Sequence, residues 1–196
     1  MTFMVGSKGR REMNRKEKLA EIAKDMPLIM KITDEELAEK VADVWMETVR
    51  LSTWDSISEM PFNDTFPERS LLEHVNATTE AALAYSQIIR KYHKIEVNED
   101  ELIAFGLIHD VDKALKYEKD GNGGVRVSEM GKRIQHGVMS AMLARDCGMS
   151  MRMQHLLITH SPQQNMQPAY IEGTLFSYVD HCDWDVVIKY GKKEKA

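Results

Sequence analysis

Apolar residues recur at helical spacing along most of the chain, and this periodicity predicts an all-α protein. A short amphipathic helix is predicted from Arg11 to Met26. A capping box at Thr33–Glu36 predicts the start of a second helix that runs to about Leu51. Further helices are predicted over about 68–93, 99–109, 128–148, 150–160 and 169–189. No strand pattern stands out, apart from a short extended piece at Val125–Val127.

Two stretches interrupt the helical pattern and are predicted as loops. The first, Ser52–Pro67, contains prolines and three aromatic residues that look exposed, so it is a candidate lid; these aromatics are Trp54, Phe62 and Phe66. The second runs from Gln163 to Pro168. Residues 1–67 are therefore predicted to form an N-terminal helical extension with a loop, and residues 68–190 the domain that carries the site.

Composition excludes several classes of protein. The chain has 196 residues, 43% of them hydrophobic and 29% charged, and its net charge of -5 argues against general nucleic-acid binding. Cys147 and Cys182 lack CxxC spacing, which indicates free thiols in a reducing compartment, so a cytoplasmic location is expected. No stretch approaches the roughly 18 apolar residues that span a bilayer, so neither membrane insertion nor export is expected.

Candidate metal ligands recur on successive predicted helices. In the central stretch Gly106–Lys113, apolar residues precede the adjacent pair His109 and Asp110, and a lysine follows three positions after the aspartate. Helical bundles can pool one ligand from each helix into a central site. The sequence offers six nitrogen and oxygen ligands and no thiolate. Six is more than the four ligands of a closed structural zinc site, and such a set leaves coordination positions for water and substrate. The candidates are His74, His109, Asp110, His136, His160 and Asp180.

This order of residues resembles the HD-domain metalloprotein superfamily, whose pattern is a His, then a His-Asp doublet, then a distant Asp on consecutive helices. His74 matches the first position, His109 and Asp110 match the doublet, and Asp180 matches the last. The resemblance covers about residues 70–185. It implies an HD-domain helical bundle with a metal site at its centre.

The remaining candidates resemble a subgroup of that superfamily that binds two metals. His136 and His160 match its two additional histidines, and Lys113 matches the lysine of its HDxxK motif. Asp112 stands where such motifs commonly carry glycine. An acid at that position is expected to neutralise Lys113 and so weaken its binding of phosphate.

The resemblance also implies roles for these residues. Asp110 would bridge two divalent ions, which could be iron, manganese, zinc or magnesium, and Lys113 would place a positive charge against an anionic substrate. The ligands would divide into His74, His109 and Asp180 for one ion, and His136 with His160 for the other. The leading hypothesis is a metal-dependent phosphohydrolase acting on a small phosphorylated compound or nucleotide.

Other functions remain open at this stage. The same ligands suit a di-iron oxygenase resembling the inositol and phosphonate oxygenases, because ligand identity does not choose between hydrolysis and oxygenation. The GYP signature of cyclic-dinucleotide phosphodiesterases is absent from the sequence. A third hypothesis is a binding module with a structural metal, in which Trp54–Phe66 docks a partner. A homodimer formed through the N-terminal helices is also compatible with the sequence.

Overall fold

A computed structural model describes residues 13–161 and 166–191, and most of these residues are helical. The α-helices are α1 (Arg15–Ile22), α2 (Glu35–Leu51), α3 (Leu71–His93), α4 (Glu99–Ile108), α5 (Lys113–Lys116), α6 (Val138–Asp146), α7 (Met151–Thr159) and α8 (Ile171–Tyr190). Two 3₁₀ helices lie at Pro27–Lys31 and Ile57–Glu59. A short antiparallel hairpin pairs β1 (Tyr117–Lys119) with β2 (Val125–Val127). The predicted helical class is confirmed, and the short extended piece predicted at Val125–Val127 forms one strand of this hairpin. Residues 163–165 of the loop predicted from Gln163 to Pro168 lie outside the described residues, and 166–168 are not helical.

Short polar side chains cap the starts of the main helices. Ser70, Asn98 and Ser150 each accept a hydrogen bond from the backbone N–H three residues ahead, which satisfies a donor that the helix itself leaves unpaired. The predicted capping box at Thr33 is wrong. Asp34 caps α2 instead, because the Thr33 hydroxyl donates to the Asp100 carboxylate at 2.7 Å.

Two predicted helix boundaries are wrong for local reasons. The first helix ends at Ile22 rather than Met26, and the chain continues into a 3₁₀ turn that opens with Pro27. The helix predicted to start at Ser128 begins only at Val138. The Ser128 hydroxyl accepts from Gly131 N and donates to Leu115 O, which favours a turn. Gly137 then has a positive φ of 81° that a continuing helix does not allow.

Helix α4 is the buried centre of the fold. All its residues from Leu102 to Ile108 are buried, and it packs against α2, α3, α7 and α8. The Trp45 indole of α2 donates a 2.8 Å hydrogen bond to Leu107 O, which fixes the α2 contact near the end of α4. The residues that follow α4 are therefore held at a defined place in the interior.

The segment Ser52–Pro67 packs against the body of the protein. Trp54 and Phe62 are buried, so the prediction that they are exposed is wrong. The Trp54 indole donates to Tyr117 O at 3.0 Å, and Phe62 N donates to Arg69 O at 2.8 Å. Because the segment is rich in polar residues and proline, its sequence did not indicate that these aromatic side chains are buried.

The described helices were compared with the length and apolar character of a membrane-spanning helix. None of those in the described parts of the chain combines the length and the apolar character needed to cross a bilayer.

The close packing of α3 and α4 predicts that a methyl group at Gly106 is destabilising. A Cβ at Gly106 would lie 2.6 Å from Thr79 Oγ1 and 2.9 Å from Phe176 Cε2. We expect Gly106→Ala to lower the free energy of unfolding by about 1–3 kcal/mol, the usual cost of overpacking. Urea denaturation measures it. Glu80→Ala, on the exposed face of α3, is the control and should stay within about 0.5 kcal/mol. Equal stabilities for the wild type and Gly106→Ala would contradict this packing.

Candidate metal centre

The structure brings all six predicted ligand residues together in the interior. They come from five points of the fold: the first turn of α3, the end of α4 (which supplies both His109 and Asp110), the turn before α6, the end of α7 and the middle of α8. They form two groups that could each hold a metal ion, with ligand atoms within 4.8 Å of one another. We call them the first His/Asp group (His74, His109 and Asp180) and the second His/Asp group (Asp110, His136 and His160).

The spacing within the first His/Asp group suits a shared ion. His74 Nε2 lies 3.3 Å from His109 Nε2 and 3.1 Å from Asp180 Oδ1, and His109 Nε2 lies 3.8 Å from that oxygen. Neighbouring ligand atoms about 2.0–2.1 Å from one ion are themselves about 2.8–3.0 Å apart in octahedral geometry and about 3.3–3.4 Å apart in tetrahedral geometry. Two of the three distances fall in or close to these ranges.

The second His/Asp group has similar spacing and shares its carboxylate with the first. His136 Nε2 lies 3.1 Å from His160 Nε2 and 3.1 Å from Asp110 Oδ1, while His160 Nε2 lies 3.9 Å from that oxygen. Asp110 Oδ2 lies 3.3 Å from both His74 Nε2 and His109 Nε2. One carboxylate therefore faces the two groups with one oxygen each.

Each of the four imidazoles is held through its other ring nitrogen. His109 Nδ1 lies 2.8 Å from Gly106 O, and His160 Nδ1 lies 2.7 Å from Leu157 O. A carbonyl oxygen only accepts, so both Nδ1 atoms carry a proton, and the neutral form of each ring therefore has its lone pair on Nε2. His74 Nδ1 lies 2.8 Å from Asp183 Oδ2, and His136 Nδ1 lies 3.0 Å from both Asp112 oxygens. Those carboxylates favour the same tautomer.

The Nε2 atoms face one another in pairs, 3.3 Å apart for His74 and His109 and 3.1 Å apart for His136 and His160, so each pair suits a shared proton or a cation. Burial alone would lower the pKa of His74, but the carboxylates of Asp110, Asp180 and Asp183 raise it to about 10. The same balance holds for His136, where Asp112 and Asp110 outweigh burial and raise the pKa to about 10. Protons on these two rings supply the positive charge that the cluster requires, and divalent ions can supply it instead.

The carboxylate at the centre is kept ionised by its neighbours. Burial would raise the pKa of Asp110, but Lys113 and His109 hold it well below its usual range. Lys113 Nζ lies 2.5 Å from Asp110 Oδ2 and 3.9 Å from the centre of the Phe62 ring. The expectation that Asp112 pairs with Lys113 is wrong. The side chain of Asp112 points to His136, and the lysine pairs with Asp110.

The site is closed on most sides and opens where three polar side chains keep some exposure. Those of Asp180, His136 and Lys113 are 15%, 13% and 12% exposed. Trp184, one turn beyond Asp180 on α8, packs 5.1 Å from Phe62 and has its ring centre 5.9 Å from Lys113 Nζ. This tryptophan therefore lies at the rim of the site.

Asp183, Phe62 and Trp184 also lie at the site but were not among the predicted site residues. The position of Asp183 at i+3 from Asp180, and of Trp184 at i+4, places all three on one face of α8, and that spacing was the available signal. Phe62 carried no such signal, because only tertiary packing brings it 4.4 Å from the His74 ring.

Comparison with known proteins yields one distant relative. The chain is 26% identical over 166 residues to the dihydroneopterin 2',3'-cyclic phosphate phosphodiesterase of Methanocaldococcus jannaschii. The match covers 80% of this chain and 66% of the relative, so the chain spans about two thirds of that protein's length. No family model matches the chain, and no solved structure matches it.

The charge balance of the cluster predicts a pH dependence for the chelator-treated protein. With the pKa of His74 and His136 raised to about 10, their stabilising protons are fully held below the unfolded value of 6.5 and are lost as the pH rises through about 10. The free energy of unfolding in excess chelator should therefore fall between pH 7 and pH 9.5. Urea titrations at several pH values measure it.

A matched pair of variants checks the origin of that dependence. His136→Gln should flatten the decline, whereas His93→Gln, at the exposed end of α3, should leave it unchanged. A wild-type profile that is level over this range would show that the cluster does not depend on these protons.

Proposed function

We propose that this protein is a metal-dependent phosphohydrolase of the HD superfamily that acts on a small phosphorylated compound or nucleotide. The observation that carries this proposal is the pair of buried His/Asp groups joined by Asp110. The relative from Methanocaldococcus jannaschii supports the hydrolytic class, since it is a phosphodiesterase acting on a small cyclic phosphate. Small organic phosphates, including cyclic phosphodiesters, are therefore the substrates to examine first.

The donor set fits two divalent ions. His74, His109 and Asp180 would hold one ion, His136 and His160 would hold the other, and Asp110 would be shared between them. Imidazole nitrogens with carboxylate oxygens suit iron, manganese and zinc, and carboxylates suit magnesium as well. The orientation of all four imidazoles, each held at Nδ1 with Nε2 inward, supports this assignment.

Bound ions would lower the pKa of a coordinated water towards neutrality and stabilise charge on a phosphoryl group. The protein's own residues do the rest. Lys113 lies beside Asp110 and near the opening, so its ammonium can pair with a phosphate oxygen that arrives there. Phe62, buried against His74 and Lys113, keeps bulk water from that side and thereby strengthens the charge interactions.

The other hypotheses have less support. The relative is a hydrolase, so nothing in the comparison favours a di-iron oxygenase. A binding module that docks a partner through Trp54–Phe66 is disfavoured because Trp54 and Phe62 are buried against the body of the protein.

A phosphate-ester panel tests the proposed function directly. Protein loaded separately with manganese, iron, zinc or magnesium is assayed against nucleoside 2',3'-cyclic phosphates, nucleotides and bis-p-nitrophenyl phosphate, with phosphate release or ring opening followed. We expect turnover of at least one ester class that stops in chelator and returns with metal. Absence of turnover with every metal, while the protein binds ions, would contradict hydrolysis.

Lys113 should matter for turnover, and because its loss also removes a cation that pairs with the buried Asp110, the kinetics are measured on folded, metal-loaded protein. Lys113→Ala removes the ammonium that meets the substrate phosphate, so kcat/KM should fall about a hundredfold, the usual effect of deleting one charge-stabilising donor. Steady-state kinetics on the best ester of the panel measure it. Lys132→Ala is the matched control, because that lysine pairs with Glu129 on the exposed surface. Equal kcat/KM for Lys113→Ala and the wild type would remove this lysine from the mechanism.

A further inference from the structure

Asp112 is fully buried, and its carboxylate is committed to one imidazole. Both of its oxygens lie 3.0 Å from His136 Nδ1, and Gly137 N donates to Oδ2 at 3.2 Å. Its own backbone N–H donates to Ser140 Oγ at 3.2 Å, and that hydroxyl donates to His109 O. The main chain of Asp112 is thus tied through Ser140 to the end of α4, whereas its side chain is held by the Gly137 N–H and has the His136 ring as the partner of its negative charge.

Gly137 makes this arrangement possible. Its φ of 81° lies in a region that L side chains rarely adopt, and a Cβ there would lie 2.6 Å from Leu157 O. Two neighbouring residues therefore contact the same Asp112 carboxylate: His136 through its ring and Gly137 through its backbone N–H. The local backbone therefore sets the distance between ring and carboxylate.

A similar pairing exists for the first His/Asp group, with a different environment. Asp183 Oδ2 lies 2.8 Å from His74 Nδ1, and the Asp183 side chain is 27% exposed, whereas that of Asp112 is 2% exposed. The other histidine of each group, His109 or His160, is held by a backbone carbonyl. Each group therefore has one imidazole held by a carboxylate and one held by the main chain.

We propose that Asp112 and Asp183 are positioning residues that each set the affinity of one ion, Asp112 for the ion of the second His/Asp group and Asp183 for that of the first. This inference rests on the metal-dependent function proposed above. A carboxylate that accepts from Nδ1–H fixes the tautomer, orients the ring and makes Nε2 a stronger donor. Asp112 is shielded from water and Asp183 is partly exposed, so we expect Asp112 to have the larger effect on ion affinity.

Metal titration of paired variants tests this division. Manganese binding is measured by isothermal titration calorimetry, and bound metal per chain by mass spectrometry, for the wild type, Asp112→Asn and Asp183→Asn. The amide keeps the shape of each side chain but removes its charge. We expect Asp112→Asn to weaken one of two ions about 10–100-fold and leave the other unchanged, the usual range for such partners. Asp183→Asn should weaken the other ion by a smaller factor.

A second background identifies which ion each residue controls. In His136→Ala, the Asp112→Asn change should have no further effect on the remaining ion, while Asp183→Asn should still weaken it. Glu73→Gln is the matched control. Glu73 and Asp183 line one surface groove beside Phe62 and His74, but the hydrogen bond described for Glu73 is made by its backbone N–H to Ser70, so both affinities should stay at wild-type values. A merely structural role would change stability without this selective effect on one ion.

Three results would overturn the inference. The first is wild-type affinity for both ions in Asp112→Asn and Asp183→Asn, and the second is an equal loss of both ions in either variant. The third is a wild type that binds no ion. That third result would also contradict the proposed metal-dependent function, whereas the first two would not affect it. If Asp112→Asn does not fold, Asp183→Asn at the more exposed position decides the question alone.

Discussion

The structure depends on one buried carboxylate placed among four imidazoles. Asp110 sits with one oxygen near His74 and His109 and the other near His136 and His160. A charge with this little exposure is tolerated only when it is paired and hydrogen-bonded. Protons, Lys113 and divalent ions are the cations that can satisfy it. The helices around it act as a rigid frame that keeps these partners within a few ångströms.

That frame is built largely from the ends of helices. His109 and His160 stand at the C-terminal ends of α4 and α7, and each ring donates back to a carbonyl three residues earlier. Such local anchors need no distant partner, so the sequence around each histidine is enough to orient it. His74 and His136 instead rely on carboxylates far away in the chain, and their orientation depends on the complete fold.

This difference explains how far the sequence could predict the site. Helical periodicity and the capping residues Ser70, Asn98 and Ser150 predict most helices, and the order of the histidines and aspartates predicts which residues meet. Asp183 was missed because its role depends on a contact with a ring 109 positions earlier in the chain.

Local context also misled in three places. Asp112 was assigned to its neighbour Lys113, although burial directs it to His136. The helix expected from Ser128 is replaced by turns, since the serine hydroxyl binds the backbone and Gly137 reverses its φ. Trp54 and Phe62 looked exposed because their segment is rich in turn residues. In each case a tertiary or turn contact outweighed the signal that neighbouring residues gave.

The most direct measurement of the central claim is the metal content of freshly purified protein, by inductively coupled plasma mass spectrometry, for the wild type and for a variant combining His136→Ala and His160→Ala. We expect two divalent ions per chain in the wild type and one in the double variant, because the first His/Asp group and Asp110 remain. An ion count that is unchanged by the double substitution, or a wild type without bound metal after loading, would contradict a dinuclear centre at Asp110.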